Sequence, residues 1–173
     1  MIKVGIIGGA GYTGGELIRL LLNHPEAEIS FVQSRSQAGK KLYSSHNDLL
    51  GETEMEFVPE WHSDLDVLFL CMGHGDSMKF MEANQVDDSV KIIDLAHDYR
   101  LDDSKVYGLP ELNREATKSA NFVANPGCFA TAIELALLPL AHNGMLKEVH
   151  VSGITGSTGA GVMPSDSTHF SWR

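Results

Sequence analysis

The chain opens with Ile2-Lys3-Val4-Gly5-Ile6-Ile7-Gly8-Gly9-Ala10-Gly11-Tyr12-Thr13-Gly14-Gly15. Ile2 to Ile7 is a short, mostly β-branched and apolar run, which suits a buried strand of a parallel sheet. The glycines that follow form a tight turn, and a helix-like run comes next. Leu17, Leu20 and Leu21 fall on one face of it, with Ile18 and Leu22 flanking. Pro25 disfavours helix in the residue before it, so the helix is expected to stop near Asn23-His24. Ile29 to Gln33 reads as a second strand. Strand, glycine turn, helix and strand within about 35 residues make one βαβ unit.

Gly8, Gly11 and Gly14 follow G-x-x-G-x-x-G between strand and helix. That spacing lets backbone N–H groups approach a pyrophosphate at the helix N-terminus; the alternative is a tight turn with no ligand. A carboxylate about 20 residues beyond such a loop would bind the ribose 2′-hydroxyl of NAD. This chain instead has Gln33-Ser34-Arg35-Ser36. Arg35 can pair with a 2′-phosphate and Ser34 can donate to it, which favours NADP(H); otherwise Arg35 is a solvated loop residue.

Further along, Ser34 to Glu54 reads as a long polar loop with a helical turn near Asn47–Leu50, and 55–58 as a short strand. Val67 to Met72 is a buried strand ended by Gly73-His74-Gly75. Asp76 or Ser77 can cap a helix running to about Asn84. Lys91 to Leu95 is another strand. Ala96 to Pro110 reads as irregular, with Asp98, Asp102 and Asp103 in a solvated acidic loop. Glu111 to Ser119 holds a helical turn, Asn121 to Ala124 a strand, and Cys128 to His142 a helix ending near Gly144. Glu148 to Thr155 begins as a strand and leads into a second glycine loop, Gly156 to Gly161. The alternation predicts an α/β fold of Rossmann type with a doubly wound, mostly parallel sheet. The expected division is a cofactor domain over 1–147 and, over 148–173, the start of an incomplete α+β substrate and dimerisation domain. A strand and glycine loop that open just before Arg173 lead us to expect a longer protein.

Asn125-Pro126-Gly127-Cys128 places a cysteine at the first turn of that last helix. The free N–H groups and positive dipole end there favour a thiolate, and the same N–H groups can hold an oxyanion. Cys128 is the expected nucleophile. Cys71, inside Leu68-Phe69-Leu70-Cys71-Met72, is expected to be buried and inert with a raised pKa. His74 lies where a strand ends, the edge at which open α/β sheets bind ligands; His97 is placed similarly. His24, His62 and His142 read as surface, and His46, His150 and His169 give no signal. Their scatter predicts no metal site.

The 173 residues are 43% hydrophobic and 21% charged, with a net charge of −10 and no basic cluster. Nucleic acid and anionic membranes are therefore not expected partners. No apolar run approaches the ~18 residues of a membrane span. Two cysteines in unlike contexts point to a reducing cytoplasm.

Asn125-Pro126-Gly127-Cys128-Phe129-Ala130-Thr131 resembles the N-P-G-C-[YF]-x-T active-site motif of the N-acyl-γ-glutamyl-phosphate reductase family of arginine biosynthesis. Gly8 to Gly14 is similar to that family's cofactor loop, and Ser34-Arg35 with Ala38-Gly39-Lys40 to its S-R-x-x-A-G-K. Asp94-Leu95-Ala96-His97-Asp98-Tyr99-Arg100-Leu101 resembles D-L-S-A-D-[FY]-R-L, and Tyr107-Gly108-Leu109-Pro110-Glu111 resembles Y-G-L-P-E. These motifs run in the family's order from Met1 to about Gly161. There are departures: His74 is kept from a leucine-proline-histidine-glycine stretch whose proline is absent, and Thr158 replaces a serine in the late loop.

The resemblance implies reduction of an N-acyl-L-glutamyl 5-phosphate to the 5-semialdehyde by NADPH, with release of phosphate, through a Cys128 thioester. It implies oxyanion and substrate contacts at Asn125, Gly127 and Phe129. It implies cofactor contacts at Gly8, Gly11, Tyr12, Thr13, Gly14, Ser34, Arg35, Gly73, His74, Ser157, Gly159 and Ala160. It also implies a homo-oligomer, and a catalytic histidine in a substrate domain beyond Arg173. An aspartate-semialdehyde dehydrogenase remains an alternative, as does a catalytically inert dinucleotide-binding module. The N-acyl group is left open.

Overall fold

Val4, Ile6 and Ile7 are all buried in strand β1 (Ile2–Ile7), so the strand is covered on both faces. The computed structural model describes residues 1–161; His169 and the remainder of the expected 148–173 segment lie outside the described residues. Around β1 run β2 (Ala27–Gln33), β3 (Phe57–Val58), β4 (Val67–Leu70), β5 (Lys91–Asp94), β6 (Val106–Tyr107) and β7 (Phe122–Ala124). The order across the sheet is β3-β2-β1-β4-β5-β7-β6, and every strand pair is parallel. Strand order reverses between β1 and β4, the switch point at which such sheets bind ligands.

Two apolar layers sandwich the sheet. Val4, Ile6, Ile18, Val32, Leu42, Leu49 and Phe57 make one; Ile7, Phe31, Leu65, Leu68, Leu70, Phe80 and Ile92 make the other. Alternation along β1 sends Ile6 and Ile7 to opposite layers. Each fully buried Ile, Leu or Phe contributes on the order of 1.5–3 kcal/mol.

Helix α1 (Tyr12–Leu22) ends at Asn23, as Pro25 requires. Its buried stripe differs from the expected one. Ile18 is the buried centre, with Leu17, Leu21 and Leu22 packed beside it, whereas Leu20 is 71% exposed. Gly14 and Gly15, one turn before Ile18, are buried too, Gly14 against Gly9 and Gly15 against the His46 ring. Leu20 lies roughly 200° around the helix from Ile18 and faces away.

Helix α2 (Asp76–Ala83) follows Gly75, whose φ is +82°, but neither Asp76 nor Ser77 caps it with its side chain. The capping carboxylate comes from Asp98, which accepts from Gly75 N (2.7 Å) and Met78 N (3.1 Å). Asp98 is thus a packed cap, its side chain 2% exposed, and not part of a solvated loop. Ser77 is buried and donates to Asp94 Oδ1.

Helix α3 (Pro110–Ser119) is longer than the expected turn and is kinked at Asn113, whose Nδ2 donates to Tyr107 O (3.0 Å). Helix α4 (Cys128–His142) has the expected bounds. Strand β6 was not expected, because two residues carry no period. The 34–54 connection holds two 3₁₀ turns, Leu42–Ser44 and Asn47–Leu49. No strand forms over 148–155: Val149, Val151 and Ile154 are exposed, and no partner strand among the described residues pairs with them. Among the described residues no helix is long and apolar enough to cross a membrane.

A Cβ on Gly14 would lie 2.6 Å from Gly9 Cα, whereas one on Gly11 would meet nothing nearer than 3.7 Å. Gly14→Ala should therefore cost about 1–3 kcal/mol by forcing backbone apart. Gly11→Ala should cost under about 1 kcal/mol as a poorer N-cap. Urea denaturation of both variants checks the contrast.

Candidate active site and cofactor cleft

All strands run the same way, so β1, β4, β5 and β7 deliver Gly8, Cys71, Leu95 and Asn125 to one edge of the sheet. Three strand spacings, about 14 Å, separate the exits of β1 and β7.

At the β1 exit, Gly8 takes φ +77°, and a Cβ there would lie 2.5 Å from Cys71 O. Gly8 N and Gly9 N both donate to Gln33 O, so these two donors are used by the protein itself. The N–H groups of Tyr12, Thr13 and Gly14, in the first turn of α1, have no intrahelical acceptor. Gly8 and Gly14 are accounted for by packing. Gly11 is not: its backbone suits any residue (φ −82°, ψ 172°), and the space beside it is open to an approaching group. Beneath the loop, buried His46 bonds to Gly9 O through Nε2 (2.8 Å), and its ring fills the space beside Gly15. No sequence signal marked His46.

A cleft of about 1050 Å³ opens beside this loop, lined by Gly8, Ser34, Arg35, Trp61, Lys79 and Phe80, among others. Arg35 is exposed and makes no ion pair with any other described residue. Among the described residues Lys79 pairs only with Asp76 in the same helix (3.1 Å). Trp61 meets Phe80 edge to face and is held by Nε1 donating to Asn84 Oδ1 (3.0 Å). The cleft thus offers glycine backbone at one end, two cations, and an aromatic wall. Those features suit a phosphate-bearing aromatic ligand.

Of the other cofactor candidates, Ser34 is buried and meets Ser36 Oγ at 3.4 Å. Tyr12 and Thr13 stand exposed at the start of α1, and Gly73 and His74 in the loop after β4. Gly159 sits in a 3₁₀ turn, Ser157–Ala160, and none of the described residues lining the cleft comes from that turn.

At the β7 exit, Cys128 is exposed and is the first residue of α4, after Gly127 as N-cap. The N–H groups of Cys128, Phe129 and Ala130 lack intrahelical acceptors there. Arg100 fixes this loop, donating Nε to Asn125 O (2.8 Å) and Nη2 to Leu95 O (2.9 Å). A Cβ on Gly127 would lie 2.9 Å from Arg100 Nη1, so the glycine makes room for the guanidinium. Asn125 also donates N to Asp94 O and Nδ2 to Pro126 O. Tyr107 OH donates to both oxygens of Glu134 (3.0 and 3.1 Å) and ties α4 to β6. The Phe129 ring packs against Gly153, in a second cleft of about 400 Å³ shared with Ile133, Leu137 and Val151. Its side chain is therefore an apolar contact, and its N–H is the group it presents at the start of α4.

Behind this edge lie two carboxylates of opposite character. Burial pushes Asp94 upward, against Ser77 Oγ and Ala96 N bonded to Oδ1; Oδ2 has no partner among the described residues. Burial also pushes Asp98 upward, but the Gly75 and Met78 N–H groups and the neighbouring His97 and His74 outweigh it and hold Asp98 below the usual range. The fold brings His74 and His97 together, ring centroids 4.2 Å apart, although 23 residues separate them in sequence.

Burial pushes the Cys71 thiol up to about 12, against a hydrogen bond from Thr13. At pH 8 only about one thiol in ten thousand would be thiolate there. Iodoacetamide at that pH should alkylate Cys128 alone, with Cys71 reacting only after denaturation, as read by peptide mass spectrometry.

Residues 3–120 match the family model for the semialdehyde dehydrogenase NAD binding domain, and residues 128–173 the model for the semialdehyde dehydrogenase dimerisation domain. Curated relatives include the N-acetyl-gamma-glutamyl-phosphate reductases of Christiangramia forsetii, 58% identical over 177 residues, and Bacteroides thetaiotaomicron, 60% identical over 178. Both alignments cover 100% of this chain, and the chain spans 55% of each relative's length. Among solved structures, aspartate semialdehyde dehydrogenase with NADP from Candida albicans superposes with a TM-score of 0.63 at 21% identity, covering 84% of this chain and 48% of that one. Aspartate semialdehyde dehydrogenase II complexed with ASA from Vibrio cholerae gives 0.65 at 23% identity, covering 93% and 48%. These likenesses show the fold. With its first model spanning well over half of the residues, the chain belongs to the semialdehyde dehydrogenase family.

Proposed function

We propose that this chain carries the cofactor site and the nucleophile of an NADP-dependent reductase that converts N-acyl-L-glutamyl 5-phosphate to N-acyl-L-glutamate 5-semialdehyde and phosphate. The observation that carries the reading is an exposed cysteine opening a helix on the same sheet edge as a dinucleotide-type glycine loop. The relatives at 58–60% identity support the glutamyl substrate over the aspartyl one, for which only the fold speaks.

The residues fit the cofactor. The first turn of α1, with open space beside Gly11, would hold the pyrophosphate; Arg35 and Ser34 would hold the 2′-phosphate; and Trp61 would wall the cleft. When bound, NADPH supplies hydride to the carbon held on the cysteine. Cys128 Sγ attacks the acyl carbon of the substrate, and the carbon–oxygen bond to phosphate breaks. After reduction, the carbon–sulphur bond of the thiohemiacetal breaks and the aldehyde leaves. At each tetrahedral stage the N–H groups of Cys128 and Phe129 hold the oxyanion, each worth about 3 kcal/mol in comparable sites. Arg100 positions the loop through the Asn125 carbonyl. Acid–base help at the sulphur belongs to the substrate domain, as the resemblance implies. The match to a dimerisation domain supports a homo-oligomer, and two free cysteines fit a reducing cytoplasm.

Two measurements on the full-length protein test this. Phosphate-dependent reduction of NADP should proceed with N-acetylglutamate semialdehyde and not with aspartate semialdehyde, and Cys128→Ala should lower it by roughly 10⁴-fold or more. Reduction surviving in that variant removes the nucleophile assignment. Arg35→Ala should raise the KM for NADPH about 10- to 100-fold, the loss of one charged hydrogen bond, and leave that for NADH nearly unchanged. Equal losses with both would sink the 2′-phosphate assignment.

A further inference from the structure

We propose that His74, His97 and Asp98 form a binding site for a divalent transition-metal ion of the Zn²⁺ class. Each residue offers one ligand atom, and these atoms lie within 4.8 Å of one another. Two imidazoles and a carboxylate are a donor set that Zn²⁺ accepts, with water completing the shell.

The three come from two loops. His74 follows β4, His97 and Asp98 follow β5, and the adjacent parallel strands bring the loops side by side. Asp98 is the most firmly held of the three. Its side chain is 2% exposed, and the Gly75 and Met78 N–H groups orient both oxygens. Its Oδ1 lies 3.1 Å from His97 Nδ1, a separation that one ion can span. The two imidazoles are exposed, so an ion has a path from solvent. A fixed carboxylate beside two solvent-exposed rings is the arrangement of a site that takes its ion after folding. A bound ion would tie the β4 loop to the β5 loop. The proposal does not depend on the cofactor assignment.

The test is calorimetric titration of the full-length protein with ZnCl₂, in a Cys128→Ser background so that the exposed thiol cannot bind the ion. One equivalent should bind with saturation, and His97→Ala should weaken binding by roughly 100-fold or more. His24→Ala, which alters a histidine at the end of α1, should leave binding unchanged. His97 is exposed, so its variant should match the parent in circular dichroism. Zn²⁺ should raise the Tm of the parent and not that of His97→Ala. Absence of saturable binding, or equal affinity in His97→Ala and the parent, overturns the proposal. So does an equal loss in His24→Ala.

Discussion

Parallel pairing is the constraint on which the rest of this structure depends. Because β1, β2, β4, β5 and β7 all point one way, every loop that bears chemistry leaves the sheet at the same edge. The glycine loop, the His74 loop, the Arg100 loop and the cysteine loop are neighbours for that reason alone. The two buried layers fix the strands in register, since a slip of one residue would exchange Ile6 for Ile7 between them. Core packing therefore sets the spacing of the site, although few core residues touch it.

Polar groups behind the edge do a different kind of work. Asp98 spans from the β5 loop to the start of α2 and satisfies two backbone donors that no residue of α2 serves. Arg100 joins two carbonyls from loops after β5 and β7. Tyr107 reaches Glu134 and holds α4 to the sheet. Each bond links segments that are remote in sequence, and together they turn four separate chain exits into one surface.

Much of this was legible in the sequence because the signals are local. Strand β1, the glycine turn, α1 and β2 follow from short-range pattern and chain stiffness, and Cys128 from its place before an apolar helical run. Ile18 was displaced from the centre of its stripe because leucine count outweighed the buried glycines of α1. What stayed hidden needed a partner at long range. The role of Asp98 as a cap, His46 under Gly9 and the pairing of His74 with His97 all depend on how loops meet, and spacing along the chain carries no record of that. A two-residue strand such as β6 exists only because β7 is beside it.

The bond from His46 to Gly9 O joins residues 37 positions apart. The βαβ unit looks self-contained, yet its turn is not complete without this contact from the connection between β2 and β3. Closing so long a loop is an entropic cost that local pairing does not bear. The strand and helix on either side of the turn are joined by local contacts, whereas the turn takes this further support from residue 46. The glycine loop thus rests on a contact made 37 positions further along the chain.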